Sequence, residues 1–242
     1  MIEARPSRWA KAIFHIYLMR LFKKHFHAFH LLNNLPETDP ELPLLLLPNH
    51  STWWDGFFIY HLNEKHFKRP AYLMMLERQL SRYRFFARVG AYSVDPQHPK
   101  SIFISLKYTI SLMQKHQHPA AALICIFPQG ELQSWGNRPL RFKRGVDWIL
   151  KRYRAPVNML PLAMRIEYLG EQRPDVFFLF GENYRTDYHD FKGMTWLEKI
   201  ELILLEKMNQ RIINGEHGER LLTGTRSVNV RWDTLLKKNN PQ

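Results

Sequence analysis

The 242-residue chain contains a single cysteine, Cys125. Without a second thiol, neither an intrachain disulfide framework nor a cysteine-based zinc site is available. Cys125 falls in the apolar run Ala121–Phe127, where a small buried hydrophobe is a more natural role than a nucleophile. A reducing, cytosolic compartment is the default expectation. The chain also lacks any uncharged apolar run of the ~20 residues that a spanning helix needs. No secretory leader is apparent, because the first segment is interrupted by Lys11, Arg20, Lys23 and Lys24. Contact with a membrane is therefore expected to be peripheral or monotopic. Acidic residues are scarce: 22 Asp and Glu stand against 35 Lys and Arg, for a net charge of +13. That imbalance favours an anionic partner, and composition alone leaves nucleic acid, anionic lipid headgroups and a phosphorylated substrate open. No internal repeat or low-complexity tract is present, and no nucleic-acid motif. His116 and His118 lie in a polar loop without companion ligands, so no metal site is expected.

What the chain does contain suits a folded domain. Hydrophobic residues make up 45% and charged residues 24%, ordinary globular values that argue against disorder. The length fits one large domain, or a domain with a helical appendage. Aromatics reach 14%, a surplus that a core or a membrane interface could absorb. Residues 8–32 read as a helix, with Phe14, Tyr17, Leu18, Leu21 and Phe22 on one side and Arg20, Lys23, Lys24 and His27 largely on the other. Such a basic, Phe-rich helix can lie in the headgroup region or pack on the domain. The chain accordingly divides into an N-terminal amphipathic segment, 1–35, and a main domain, 36–242.

Within that domain, apolar runs at 42–48, 71–75, 120–127, 156–164 and 176–180 read as strands, with 90–95 a further candidate. Helical patterns fall at 56–63, 101–115, 145–154 and 196–213. The last runs through Leu197, Ile200, Ile203, Leu204, Met208 and Ile212. Strands alternate with helices, and the strong strands are apolar throughout. The expected class is α/β, with a mixed, largely parallel sheet covered by helices on both faces.

One constellation carries chemistry. His50 directly follows the apolar run at 42–48, where sheet enzymes place reactive groups, and Asp55 stands five residues later. If the intervening residues turn into a helix, the carboxylate can reach one ring nitrogen of His50, fix its tautomer and stabilise the imidazolium. The other nitrogen could then take a proton from a hydroxyl. Ser51 or Thr52 could cap the helix. Trp53, Trp54, Phe57 and Phe58 could line a substrate groove, touch a membrane or fill the core, and Arg78–Arg88 could bind phosphate or lie solvated.

The surrounding residues give this pair a context. Asn49-His50-Ser51-Thr52-Trp53-Trp54-Asp55 resembles the Asn-His-x4-Asp signature of the glycerolipid and lysophospholipid acyltransferase family, the PlsC-like proteins. Downstream, Phe127-Pro128-Gln129-Gly130-Glu131 resembles that family's Phe-Pro-Glu-Gly block, and Phe142-Lys143-Arg144-Gly145 its Phe-Lys-x-Gly. Leu160-Pro161-Leu162-Ala163 resembles the late proline-containing strand. The four blocks occur in order across residues 40–185, which is far more specific than the dyad alone.

The resemblance implies a glycerol-3-phosphate acyltransferase-like α/β fold. It implies transfer of an acyl group from acyl-CoA or acyl carrier protein to a lipid-borne hydroxyl at the cytoplasmic face of an anionic membrane, with no cofactor and no nucleic acid as partner. Carried over, His50 is the general base and Asp55 its orienting partner. Asn49, Phe127, Pro128, Gln129, Gly130 and Glu131 belong to the substrate site; Gly130 permits close backbone approach, and Pro161 shapes the acyl or thioester wall. The chain departs from the family at Gln129, where Glu is usual, and at Leu132 and Pro96, where phosphate-binding arginines are expected. Arg138, Arg141, Lys143 or Arg144 could substitute in space. Otherwise the acceptor carries no phosphate at its reacting end and is a neutral or glycosyl lipid, because neither Leu132 nor Pro96 can fork onto phosphate. Two rivals remain at this stage: a basic membrane- or nucleic-acid-binding protein without catalysis, and an acyl-thioester hydrolase.

Overall fold

The computed structural model describes residues 1–115 and 120–225; the loop histidines His116 and His118 lie outside them. Nine strands form one sheet: β1 Ala28–Leu31, β2 Leu44–Pro48, β3 Ala71–Leu76, β4 Ala91–Val94, β5 Leu123–Cys125, β6 Val157–Glu167, β7 Asp175–Phe180, β8 Tyr184–Thr186 and β9 Glu219–Thr223. Their order is β4-β3-β5-β2-β6-β7-β1-β9, with β8 also paired to β6. The run from β4 to β6 is parallel throughout, whereas β6 pairs antiparallel with β7 and β8, and β1 with β9. The sheet is therefore mixed and largely parallel, and helices cover it: α1 Arg8–His25, α2 Asp55–Leu62, α3 Glu77–Arg82, α4 Pro99–Lys115, α5 Gly145–Tyr153 and α6 Met194–Ile213.

β2 explains why its sequence is a continuous apolar run. It lies between β5 and β6, so both of its edges are hydrogen-bonded and both of its faces are roofed. Leu44 and Leu46 pack with α1 and α2 residues such as Phe14, Phe22 and Phe58. Leu45 and Leu47 pack on the other face with α4 and α5 residues such as Leu106, Val146 and Ile149. Each of the four leucines is at most 1% exposed, and burying one is worth about 1.5–3 kcal/mol. His50 is thus delivered from a strand held on both edges and buried on both faces.

Segment 8–32 differs from its sequence pattern. The helix stops at His25, and Ala28–Leu31 becomes β1, parallel to β7. All four β1 residues are buried, and a short run buried on both faces carries no period that separates strand from helix. Residues 1–35 contribute both α1 and β1 to the common core. On α1 the inner face is Ala10, Phe14, Leu18 and Phe22. Tyr17, expected beside Phe14, is 59% exposed and shares the outer face with Trp9, Ile13 and Ile16. β9 lies in a polar stretch that gave no strand signal; it adds antiparallel to β1 at the end of the sheet, where polar side chains are usual.

Candidate active site

β2 ends at Pro48, and Asn49 fixes how the chain leaves the sheet. Its buried amide donates to Met164 O at 3.0 Å and accepts Met164 N–H at 2.7 Å, replacing a ladder pair with side-chain bonds. His50 follows at once. Asp55, the first residue of α2, turns its carboxylate back toward the loop and accepts four bonds there. Oδ2 receives His50 Nδ1 at 2.8 Å, Ser51 N–H at 2.8 Å and Thr52 N–H at 2.9 Å, while Oδ1 receives the Thr52 hydroxyl at 2.5 Å. The expected Ser or Thr cap is therefore inverted: the carboxylate satisfies the loop's N–H groups. The same contacts leave Nδ1 as the protonated nitrogen, an assignment that follows from its acceptor. Nε2 remains available to take a proton.

The loop after β5 is stitched onto His50. Gln129, 3% exposed, accepts His50 N–H through Oε1 at 2.5 Å and donates through Nε2 to Gln133 Oε1 at 3.0 Å. Gln133 N–H in turn donates to His50 O at 2.9 Å. Both backbone groups of His50 are thereby held by one loop. The Phe127 ring stacks on the imidazole at 4.0 Å between centroids, 19° from parallel. An amide at 129 accepts at one end and donates at the other, which a carboxylate could not do, and this accounts locally for the departure from Glu.

Gly130 adopts φ +74°, and a Cβ there would sit 3.0 Å from Lys143 Cγ. Lys143 N–H donates to Pro128 O at 2.8 Å, so the Phe127–Glu131 and Phe142–Gly145 blocks run against each other. Glu131, Arg138, Arg141, Lys143 and Arg144 are exposed, a basic rim beside the loop. Arg138 bonds the carbonyls of Trp135 and Asn137 in its own turn. Leu132 is 54% exposed and brings no charge. Pro161 is buried in β6 beside Gly181. Direct contacts thus join Asn49, His50, Asp55, Phe127, Pro128, Gln129, Gly130 and Lys143. Of the aromatic group, Phe58 is fully buried, whereas Trp53 is 61% exposed.

Sequence reasoning missed two acids on α6. Glu198 accepts Phe142 N–H, and Glu201, 1% exposed, is buried with its Oε1 lacking a hydrogen-bond partner. A signal existed for the second, since Glu201 falls four residues from both Leu197 and Leu205, on the inward stripe. α6 also borders a cleft of about 530 Å³, lined by Phe180, Ile200, Ile203, Leu204 and Lys207 among others and by none of the sequence-predicted residues. Burial, reinforced by the nearby Asp55 charge, holds the Cys125 thiol well above its usual range, so it is not a nucleophile. Among the described residues no cluster of three His, Cys, Asp or Glu could hold a metal ion.

Comparison with known proteins bears on this arrangement. No curated protein sequence matches. Among solved structures, the chain is similar to the crystal structure of the 1-acyl-sn-glycerophosphate acyltransferase PlsC from Thermotoga maritima. The two share 14% identity at a TM-score of 0.48, over 84% of this chain and 78% of that one. A family model described as Acyltransferase matches residues 27–165. That span covers more than half of the chain, from just before β1 into β6, and encloses the His50 loop and the blocks packed on it; the chain belongs to the acyltransferase family.

Proposed function

We propose that this acyltransferase moves a fatty acyl group from an acyl thioester, on CoA or a carrier protein, to a hydroxyl of a lipid acceptor. One observation carries the mechanism: His50 Nδ1 is 2.8 Å from a buried carboxylate, while the ring, on a side chain 23% exposed, keeps Nε2 free. Nε2 removes the acceptor hydroxyl proton as the oxygen attacks the thioester carbonyl. The carbon–sulfur bond breaks, and the imidazolium returns the proton to the departing thiolate. Asp55 stabilises that imidazolium throughout. No protein nucleophile is required.

For the acceptor, exposed Leu132 and Pro96 favour a reacting end without phosphate, a neutral or glycosyl lipid. The exposed rim of Arg138, Arg141, Lys143 and Arg144 keeps a lysophospholipid as the second candidate. A bilayer surface is the natural source of either. The outer stripe of α1, Trp9, Ile13, Ile16 and Tyr17, is more than half exposed and continues into Arg20 and Lys24. Trp53 projects from the His50 loop itself. Aromatic and aliphatic side chains flanked by cations fit an anionic, cytoplasmic-facing interface, held peripherally. No helix among the described residues is long and apolar enough to cross a membrane.

The test is thiol release from long-chain acyl-CoA and an acyl carrier protein donor, with and without a panel of neutral, glycosyl and lysophospholipid acceptors. Release that requires one acceptor supports transfer and identifies its class. Release without acceptor would make the protein a thioester hydrolase, and robust turnover of lysophosphatidate would contradict the neutral-acceptor preference.

A further inference from the structure

The positive charge of the chain is not spread evenly. Residues 99–115 and 138–154, which form α4, α5 and the turn leading into α5, hold ten Lys and Arg against one acid, Asp147. Nine of the thirteen net positive charges therefore lie here. All ten cations are exposed. Among the described residues none of the ten is ion-paired with a carboxylate. Cations gathered without partners repel one another, and an anionic partner would relieve that repulsion.

The cluster has a defined shape. Lys100, Phe103, Ile104 and Lys107 fall at helical spacing on one outer stripe of α4, with Phe103 47% and Ile104 52% exposed. Phe103 meets Trp148 of α5 at 5.6 Å between ring centroids, and the Arg152 guanidinium lies 3.9 Å from the centroid of that indole. An apolar strip is thus set among cations. Its position follows from the topology. β4, β2 and β6 run parallel, so α4, which leaves β4, and α5, which returns to β6, both begin at the sheet edge that carries His50. Lys143, whose N–H donates to Pro128 O, joins the strip to the catalytic loop. α4 and α5 pack on the Leu45 and Leu47 face of the sheet, and α1 on the Leu44 and Leu46 face. The strip therefore lies on the far side of the sheet from the α1 stripe proposed to meet the bilayer.

We propose that this strip docks an acidic helix of an acyl carrier protein, so that the acyl donor reaches His50 on that carrier rather than on free CoA. The role rests on His50-dependent acyl transfer. The bond broken is then the carbon–sulfur bond of the carrier's pantetheine thioester, and the thiol leaves on the carrier. Extent favours a protein over a nucleotide. Lys100 and Lys115 stand about 22 Å apart along one helix, and the cations of α5 widen the area. That suits a protein interface of about 800 Å² a side and exceeds what one cluster of nucleotide phosphates can engage. Nucleic acid would match the charge, but its phosphates give Phe103 and Ile104 nothing apolar to pack on, whereas an acidic amphipathic helix gives both.

The experiment measures kcat and KM with palmitoyl acyl carrier protein and with palmitoyl-CoA, using the acceptor lipid that the wild type turns over. The proteins are wild type, Lys100→Glu with Lys107→Glu, and His50→Ala, each with its melting temperature. The double variant is expected to raise KM for the carrier donor about 10- to 100-fold, since two attractions become repulsions at the docking face. Its kcat, its KM for palmitoyl-CoA and its melting temperature are expected to stay unchanged. Added salt is expected to raise the wild-type KM for the carrier donor in the same direction. A wild-type KM for the carrier in the double variant would overturn the proposal. So would equal losses with both donors, or a wild type that turns over palmitoyl-CoA alone. Weaker binding of the double variant to anionic vesicles or duplex DNA, with donor kinetics intact, would give the face to a membrane or to nucleic acid instead. In each of these cases, transfer that is lost with His50→Ala leaves the proposed function standing. If neither donor supports His50-dependent transfer, that reading falls and the docking role falls with it.

Discussion

Replacing Asp55 by Asn separates two ways in which the carboxylate could assist His50. If its chief service were to choose the tautomer, the amide would present an N–H to Nδ1, drive the proton to Nε2 and abolish the base, a loss of about 10⁴-fold. The loop argues otherwise. Oδ2 accepts not only Nδ1 but also the Ser51 and Thr52 N–H groups, at 2.8 and 2.9 Å. These two fixed donors require an oxygen at that position. The Asn NH2 then falls at the Oδ1 position, facing the Thr52 hydroxyl, which can accept. The tautomer survives, and only the negative charge is lost. Without that charge the imidazolium forming in the transition state loses one preorganised electrostatic partner, and kcat should fall by about 10²- to 10³-fold. Asp55→Ala removes a carboxylate that is 3% exposed and leaves both N–H groups and the hydroxyl of half-buried Ser51 and Thr52 without their acceptor. It should cost about 3 kcal/mol of stability in addition, at roughly 1 kcal/mol for each of the three groups, the low end of the range for groups that water can reach. Steady-state kinetics and denaturant unfolding measure both. A 10⁴-fold loss for Asp55→Asn with an intact fold would refute the fixed-donor reasoning, and an unchanged kcat would remove Asp55 from the mechanism.

Further outcomes follow from the same contacts. Gln129→Glu should lower stability by about 1–3 kcal/mol at neutral pH, because a carboxylate loses the N–H that Gln133 accepts and is desolvated in its place; an unchanged denaturation midpoint would contradict this. His61 is buried with neither ring nitrogen bonded, and burial first, then the positive Lys65, His15 and His66, lower its pKa to about 4. The unfolded chain therefore binds the extra proton between about pH 6.5 and 4, so stability is complete above that window and is lost as pH falls through it, by roughly 3 kcal/mol. His61→Leu should flatten this limb of the stability–pH curve, and an equally steep slope would show that other groups produce it. Ile13→Glu with Ile16→Glu should reduce co-sedimentation with anionic vesicles without changing the melting temperature, since both side chains are more than half exposed; undiminished binding would remove α1 from the interface.

The parts of the site legible in the sequence are those in which local order already implies geometry. Pro48 through Asp55 is one continuous segment in which a buried strand, a turn and a helix start must follow one another, so the pairing of His50 with Asp55 could be read directly. Asp55 as the acceptor of the loop's N–H groups could not, because side-chain bonds three and four residues long compete evenly with the expected Ser or Thr cap. The Gln129 bond to His50 spans 79 positions, and only the family resemblance brought those residues together. β1 was hidden by burial on both faces, and β9 by the polar composition of an edge strand. α6 misled in its phase: Ile200 and Ile203 fit the apolar spacing as well as Leu205 does, and Glu201 reads as an ordinary solvated glutamate until its burial on the inner face is seen.

The central claim is that His50 is the base in acyl transfer to a lipid hydroxyl. Its most direct test is kcat for acceptor-dependent thiol release by His50→Ala beside the wild type, with melting temperatures confirming that both are folded. The account expects the variant to lose about 10²–10⁴-fold in kcat, the usual contribution of general-base assistance. A folded His50→Ala enzyme with near-wild-type turnover would contradict it.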